Sequence, residues 1–166
     1  IGRYFHMSAG GMFRKLNPET EIWREVHYFM QNGFLVPDEL TVRLFYATIE
    51  QNEKDGICIP GRQVIALDGI PRNVDQVGLI SDRISIEKII YLHITDEESN
   101  KRLLHSEERK AKEKRSDDNP ETINKRLQTF YRETLPVLRE YDPDFDPDEP
   151  VYDGRQKGNG LIAIVD

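Results

Sequence analysis

Three stretches of the chain are apolar without interruption: Val64-Ile65-Ala66-Leu67, Ile89-Ile90-Tyr91-Leu92 and Leu161-Ile162-Ala163-Ile164-Val165. A strand with one wet face alternates apolar and polar residues, so unbroken runs predict strands covered on both faces by helices, the setting of a parallel sheet. A further short strand, or the exit of one, is expected at Arg3-Tyr4-Phe5-His6-Met7, and the small residues Ser8-Ala9-Gly10-Gly11 after it allow a turn and a helix start. Helical patterning follows. In NPETEIWREVHYFMQNG the residues Ile22, Val26, Phe29 and Met30 recur at helical spacing, and Asn32-Gly33 supplies a stop. LVPDELTVRLFYATIEQNEKDG predicts a second helix that begins after Pro37, carries Asp38 and Glu39 in its first turn where the dipole favours acids, and ends at Asp55-Gly56. Strands separated by helices give a βαβ rhythm and an α/β fold class, a three-layer parallel sheet flanked by helices. Ligands gather at the carboxyl ends of strands in such sheets, and Asp68 and Arg72 fall at that edge.

The second half is more polar. Residues 97–115, EESNKRLLHSEERKAKEKR, have Leu103 and Leu104 as their only large apolar side chains, so they read as a helix or hairpin-like arm projecting into water. Ser116-Asp117-Asp118-Asn119 interrupts the arm, and Pro120 is placed for the first turn of a new helix. Along it Ile123, Leu127, Phe130 and Leu138 point inward, with Pro136 as a kink. Residues 142–150, DPDFDPDEP, are acidic and proline-spaced and read as a surface loop.

Composition narrows the picture. A chain of 166 residues makes one domain with a real core. With 37% hydrophobic and 32% charged residues and a formal charge of −7, most of the surface is solvated acid and base. That balance argues against a general nucleic-acid binder, which needs a basic face, while a local basic cluster can still bind one small polyanion. Cys58 is the single cysteine, which excludes an internal disulfide framework or a multi-cysteine zinc site and fits a reducing cytoplasm. No apolar run reaches the ~18 residues of a membrane helix, and no signal-like start is present.

The chemistry concentrates in VIALDGIPRNVDQ. Gly69 lets the backbone approach a ligand, Pro71 stiffens the turn, and Arg72 offers a planar fork that matches two phosphate oxygens. Gln76 can donate and accept at once, as a base edge requires. The plainer reading is a strand end whose Asp68 caps a helix and pairs with Arg72; the full set at a strand tip favours a ligand. A second cluster is Arg102, Arg115 and Arg126, flanked by Asp117 and Asp118. Arg115 and Arg126 lie on either side of a turn-like break, so an arm and a core helix can close on one anion. Positive groups around a moving phosphoryl group supply most of its stabilisation. Taken singly, each of these arginines reads equally as part of an ion-paired helix surface, Arg109, Lys110, Lys112 and Lys114 most of all. A third feature is SAGGMFR, small residues opening a helix on which an anion can rest, with Arg14 one turn in.

In this order and spacing the segments resemble the nucleoside monophosphate kinases, most closely the adenylate kinase family. SAGGMFR resembles the family's STGDxLR, NGFLVPDELTV its xGxLVPDELV, and LDGIPRNVDQ its LDGFPRTxxQ. RSDDNPETINKRLQTFYRETLPVLREY resembles its RxDDxxETIxKRLxxYxxxTxPLxxYY, and the final GLIAIVD is similar to its last core strand and the start of its adenine loop. The resemblance covers nearly the whole chain. It implies a P-loop kinase-like core from residues 1–7, 38–102 and 117–166, a small helical monophosphate-binding lobe at 8–37 and a short lid at 103–116. It implies an enzyme, a Mg2+-dependent phosphotransferase running ATP + AMP ⇌ 2 ADP, expected as a cytoplasmic monomer whose partners are AMP, ATP and ADP, with no nucleic acid and no membrane. Ala9, Arg14, Phe34, Leu35, Val36, Gly69, Ile70, Pro71, Arg72 and Gln76 would then form the AMP site. Arg14 and Arg72 would grip its phosphate, Gln76 its base, and the backbone of Phe34, Leu35 and Val36 would line the base pocket. Arg72, Arg102, Arg115 and Arg126 would be catalytic, Arg102 and Arg109 would bind ATP, and Asp68 would hold Mg2+ through water.

The departures from the family pattern are informative. No G-x-x-x-x-G-K-[ST] occurs, although the family carries this phosphate loop on its first strand to hold the donor's β- and γ-phosphates. The resemblance implies about thirty residues of strand, loop and helix before Ile1 and a last helix after Asp166, and the chain alone is expected to be inactive. Ala9 replaces a threonine common in adenylate kinases and is more like the pyrimidine monophosphate kinases, whereas Gln76 speaks for adenine. Gly11 replaces an acid near the metal, Ile70 a phenylalanine, and Ser106 a lid arginine for which Arg109 would substitute. A CMP/UMP kinase is therefore the alternative within the class. A non-catalytic nucleotide-binding or regulatory protein lacking the donor site is the alternative outside it.

Overall fold

The apolar run at 64–67 forms β2 (Val64–Asp68), which pairs in parallel with β1 (Tyr4–Ser8), Tyr4 opposite Val64 and Ser8 opposite Asp68. The computed structural model in which this is seen describes residues 3–105, 119–147, 156–157 and 162–165. Between β1 and β2 the chain forms α1 (Ala9–Arg14), α2 (Glu21–Gln31) and α3 (Asp38–Lys54), and α4 (Val74–Ser81) follows β2. A second sheet joins β3 (Ile89–Leu92) in parallel to β5 (Ile162–Val165), with β4 (Gln156–Lys157) antiparallel on the other side of β5. After β3 come α5 (Asp96–His105), α6 (Pro120–Thr129), a π-helical turn (Phe130–Thr134) and α7 (Leu135–Tyr141). Parallel strands linked through helices make the protein α/β, as the apolar runs predict, and β4 is the departure from a purely parallel arrangement. Among the described residues no helix is long and apolar enough to cross a membrane.

Helices start where the sequence offers an oxygen to the orphan amides of the first turn. Ser8 Oγ accepts from the Gly11 N–H at 3.3 Å, Thr20 Oγ1 from Trp23 at 3.2 Å, Asn73 Oδ1 from Gln76 at 2.8 Å and Asn119 Oδ1 from Thr122 at 2.9 Å. The predicted stops of α2 and α3 are occupied by Gly33 and Gly56 with φ of 72° and 68°, left-handed backbone that glycine adopts without strain. Pro136 acts ahead of its own position: it has no N–H for the carbonyl four residues back, and the ladder widens into the π-helical turn at Phe130–Thr134.

One buried cluster unites α1, α2, α3 and α4 with the β1–β2 pair, centred on Phe45 and Ile80, both 0% exposed. Met7 and the partly buried Phe5, Ile65 and Leu67 give it one face of that sheet. Among the described residues the other face is open. Tyr4, Val64, Ile90 and Leu92 are 62%, 41%, 67% and 66% exposed, so β1, β2 and β3 alternate covered and open residues. The described helices pack on one face only, and an unbroken apolar run does not by itself say that both faces are covered. Ile22 on α2 is likewise exposed, leaving Val26 as the buried anchor of that helix. The segment after α7 brings a correction: Asp142 and Phe145 are buried, not on a surface loop. Phe145 meets the Tyr91 ring edge-on at 5.5 Å and packs with Leu138, while the Asp142 carbonyl accepts from the Phe145 N–H at 2.9 Å and closes the turn. Acid and proline content marked the turn correctly, and one aromatic ring in it was enough to draw it onto the sheet. Cys58 is buried, and that burial pushes its thiol pKa up.

Phe45→Ala empties the centre of the larger cluster. Truncation of a fully buried phenylalanine is expected to remove about 3–5 kcal/mol of stability, measured by urea denaturation as a drop in the midpoint at constant slope.

Candidate functional site

Because β1 and β2 run parallel and in register, their carboxyl ends coincide, and the two segments singled out for anion chemistry emerge side by side. Ser8 leads directly into α1, and Asp68 into the turn at 69–73. In that turn Gly69 has φ of 77°, and a Cβ built there would lie 2.9 Å from Nη2 of Arg72. The backbone demands glycine, and the Arg72 guanidinium, the far end of a flexible and exposed side chain, lies over it. Its Nε donates to the Gly69 carbonyl at 3.1 Å. The Ile70–Pro71 peptide is cis.

The turn is tied to two distant parts of the chain, the start of α3 at Asp38 and the π-helical turn at Thr134. The Arg72 N–H donates to Gln76 Oε1 at 2.8 Å, and the Arg72 carbonyl accepts from Thr134 Oγ1 at 2.8 Å. Gln76 Nε2 donates to Asp38 Oδ1 at 2.7 Å, and Asn73 Nδ2 donates to the two oxygens of the same carboxylate at 2.9 and 3.0 Å. Asp38 thus binds the start of α3 to the start of α4. Gln76 is 2% exposed and engaged at both ends of its amide.

Arg14 stands one turn into α1, with Nη1 3.0 Å from where a Cβ on Gly10 would be, so that glycine makes room for it. Gly33 does the same for another element. A Cβ there would meet Thr122 Cγ2 and the Thr122 carbonyl at 3.3 Å and Lys125 Cβ at 3.4 Å, so the turn before Phe34 presses on α6 beside Arg126. Of the next three residues Phe34 is half exposed, and buried Val36 gives its carbonyl to the Thr41 hydroxyl at 3.3 Å. Ala9 and Ile70 are buried in the core cluster, so what they add to a site is shape and backbone. Asp68 is exposed on the open sheet face, its Oδ2 3.7 Å from Nε2 of His6. Arg102 lies on exposed α5, where its Nε donates to Glu98 at 2.7 Å and holds that carboxyl below its usual pKa. Arg109 and Arg115, with Ser106, Asp117 and Asp118, lie outside the described residues, as does the lid segment from 106 to 116. A shallow depression between the starts of α3 and α4 is lined by Asp38, Glu39 and Asp75 with Val74, Gly78 and Leu79, and three carboxylates make it a poor seat for phosphate.

The structure therefore places Asp68, Gly69, Ile70, Pro71, Arg72 and Gln76 on one strand tip, with Ala9 and Arg14 on the adjoining one. It brings Gly33, which precedes Phe34, Leu35 and Val36, against the helix that carries Arg126, and leaves Arg102 on an outer helix in an ion pair. Sequence reasoning missed Asp38 and Thr134. Asp38 already had a local explanation in the helix dipole, and no local signal marks a threonine whose partner lies 62 residues away. Chemically the arrangement offers guanidinium groups and an exposed carboxylate at a sheet edge, and that set suits holding and orienting phosphate groups.

Comparison with known proteins agrees with this chemistry. The family model described as Adenylate kinase matches residues 3–144. The adenylate kinase of Cyanothece sp. is 31% identical over 142 residues, covering 82% of this chain and 68% of that protein. The adenylate kinase of Staphylococcus epidermidis is 30% identical over 169 residues, covering 82% and 74%. UMP-CMP kinase 3 of Arabidopsis thaliana is 31% identical over 142 residues, covering 84% of this chain and 64% of its own length.

Gly69→Ala tests the turn. Alanine at positive φ is expected to lower stability by more than ~1 kcal/mol. Gly56→Ala is the matched control, since Gly56 has φ of 68° but nothing within 4 Å of a Cβ. Denaturant titration of both variants should show a loss from the positive φ, and a larger loss at Gly69 than at Gly56 would measure what it costs to displace the Arg72 guanidinium.

Proposed function

The chain belongs to the adenylate kinase family, and on that premise we propose that it is a nucleoside monophosphate kinase whose acceptor is AMP, catalysing ATP + AMP ⇌ 2 ADP. The observation that carries this reading is the strand tip, where Arg72 is held against Gly69 at the carboxyl end of a parallel pair and Arg14 enters from the adjoining strand's helix. A planar guanidinium matches two phosphate oxygens at once and, unlike a lysine, fixes their orientation. In the proposed site Arg14 and Arg72 grip the acceptor phosphate, the backbone of Phe34, Leu35 and Val36 lines the base pocket, and Gln76 meets the base with the second N–H and second lone pair that Asp38 and Arg72 leave on its amide. The finer architecture belongs to the same proposal: a three-layer core, a monophosphate lobe at 8–37 packed onto that core through Met12, Phe13 and Val26, and a lid at 103–116.

In the reaction an oxygen of the AMP phosphate attacks the γ-phosphorus of ATP. The new P–O bond forms as the bridging bond to the β-phosphate breaks, and ADP leaves with the electron pair. Little covalent work falls to the protein, so its contribution is alignment and charge. Arg72, Arg102, Arg115 and Arg126 surround the transferring group in this proposal, Arg102 exchanging Glu98 for phosphate, and Arg102 and Arg109 face ATP. Lid closure excludes water, the competing acceptor. For the metal, Asp68 is an exposed carboxylate at the strand tip, its oxygens open to solvent. Mg2+ keeps several waters and takes further oxygens from substrate phosphates, so Asp68 fits it, holding it through water. When bound, the ion neutralises charge on the β- and γ-phosphates.

A CMP/UMP kinase is the second reading, favoured by Ala9 and by the equal identity to the UMP-CMP kinase. Calorimetric titration with AMP, CMP and UMP separates the two, AMP being expected to bind tightest. Arg72→Ala is expected to weaken all three by about 1.5–3 kcal/mol, the worth of a charge-assisted hydrogen bond. A wild-type chain that binds none of the three would overturn the assignment of the site.

A further inference from the structure

We propose that Thr134 and Asp38 are positioning residues for the phosphate grip: between them they hold the Arg72 peptide at both ends and thereby aim its guanidinium. The inference rests on the reading of Arg72 as a phosphate ligand and adds how that side chain is kept in place. Thr134 donates its hydroxyl to the Arg72 carbonyl at 2.8 Å. A threonine within a helix ordinarily turns its hydroxyl back to a carbonyl of the preceding turn. Here the π-helical turn that precedes Pro136 carries Thr134, and the hydroxyl reaches across to another element. Tyr131 of the same turn donates to Asp96 Oδ1 at 2.6 Å, so the turn reaches both the segment before α4 and the start of α5.

On the other side of the peptide the Arg72 N–H donates to Gln76 Oε1 at 2.8 Å. The sense of that amide is not free. A carboxylate only accepts and a backbone N–H only donates, so the nitrogen of Gln76 must face Asp38 and its oxygen must face Arg72. Rotating the amide by half a turn would set oxygen against carboxylate and N–H against N–H, in a side chain that is 2% exposed and out of reach of compensating water. Asp38 therefore acts on Arg72 through Gln76. Asn73, bonded to both oxygens of Asp38, fixes the carboxylate in turn. Arginine has a long flexible stem, and a grip that must be correct to a fraction of an ångström depends on what anchors its backbone.

The test uses Thr134→Val, which keeps the shape and deletes the hydroxyl, Thr134→Ser, which restores it, and Asp38→Asn, which permits either sense of the Gln76 amide. Each is titrated calorimetrically with AMP, CMP and ribose 5-phosphate, alone and in an Arg72→Ala background. The expected result for Thr134→Val and Asp38→Asn is a loss of affinity by a common factor of about three- to tenfold for all three ligands, the worth of one hydrogen bond. Thr134→Ser should recover to within about twofold, and neither loss should appear once Arg72 is alanine, because residues that act through one another are not additive. Wild-type affinity in both single variants, or losses that add in full to that of Arg72→Ala, would overturn the proposal while leaving the phosphate site intact. If Arg72→Ala itself binds all three ligands normally, the site reading fails and the proposal with it.

Discussion

The arrangement depends on a parallel ladder of five residue pairs, Tyr4 with Val64 through Ser8 with Asp68. A parallel pair in register ends both strands at the same level, and everything the chain does next on either strand begins at that level. Ser8 caps α1 and places Arg14 a turn later, and Asp68 opens the turn that carries Arg72. A one-residue slip would exchange the faces of β2. Ile65 and Leu67 would leave the core and Asp68 would enter it. The hydrophobic cluster that fixes this register is therefore also what sets the two arginine-bearing segments side by side.

The turn at 69–73 has little apolar surface of its own apart from buried Ile70. Its order comes instead from polar ties, to nearby Gln76 and distant Asp38 on one side and to distant Thr134 on the other. Such a network is demanding. Each buried polar group must find its partner, and a half-satisfied one is worse than none. Gln76 meets the requirement because its two ends face groups of opposite and invariable character. Gly69 meets a backbone requirement in the same turn, its positive φ, and leaves room for the guanidinium that the network anchors.

Local features of this structure were legible in the sequence because they have local causes. The starts of α1, α3 and α6 follow from Ser8, from Pro37 with Asp38 and Glu39, and from Pro120, the stops from Gly33 and Gly56, and the distortion before α7 from Pro136; the caps at Thr20 and Asn73, and helix α4 itself, were not read. The end of β2 and the turn after it were legible because an apolar run that meets a glycine and a proline has to stop there. Three other things were not. Whether a run such as Ile89-Ile90-Tyr91-Leu92 is covered on one face or two depends on what packs there, and periodicity carries no information about neighbours. Phe145 lay hidden in an acidic turn, since composition averages over the one residue that decides burial. Asp38 and Thr134 were missed because a long-range hydrogen bond needs the topology first, and each residue already fitted its own helix.

The position of Gly33 shows how the two halves of the site are brought into relation. Its turn ends α2, and the absence of a side chain lets that turn seat against Thr122 and Lys125 on α6. Helix α6 continues through the π-helical turn into α7, so one nearly unbroken helical rod runs past the Gly33 turn, carries Arg126, and then reaches the Arg72 carbonyl through Thr134. A rod that contacts both the turn before Phe34 and the Arg72 turn keeps the spacing between them from being set by loops alone. That spacing is what a rigid ligand with a base at one end and a phosphate at the other would measure. The widening ahead of Pro136 is then more than a tolerated defect, because the residue that closes the widened turn is the one whose hydroxyl reaches the Arg72 turn.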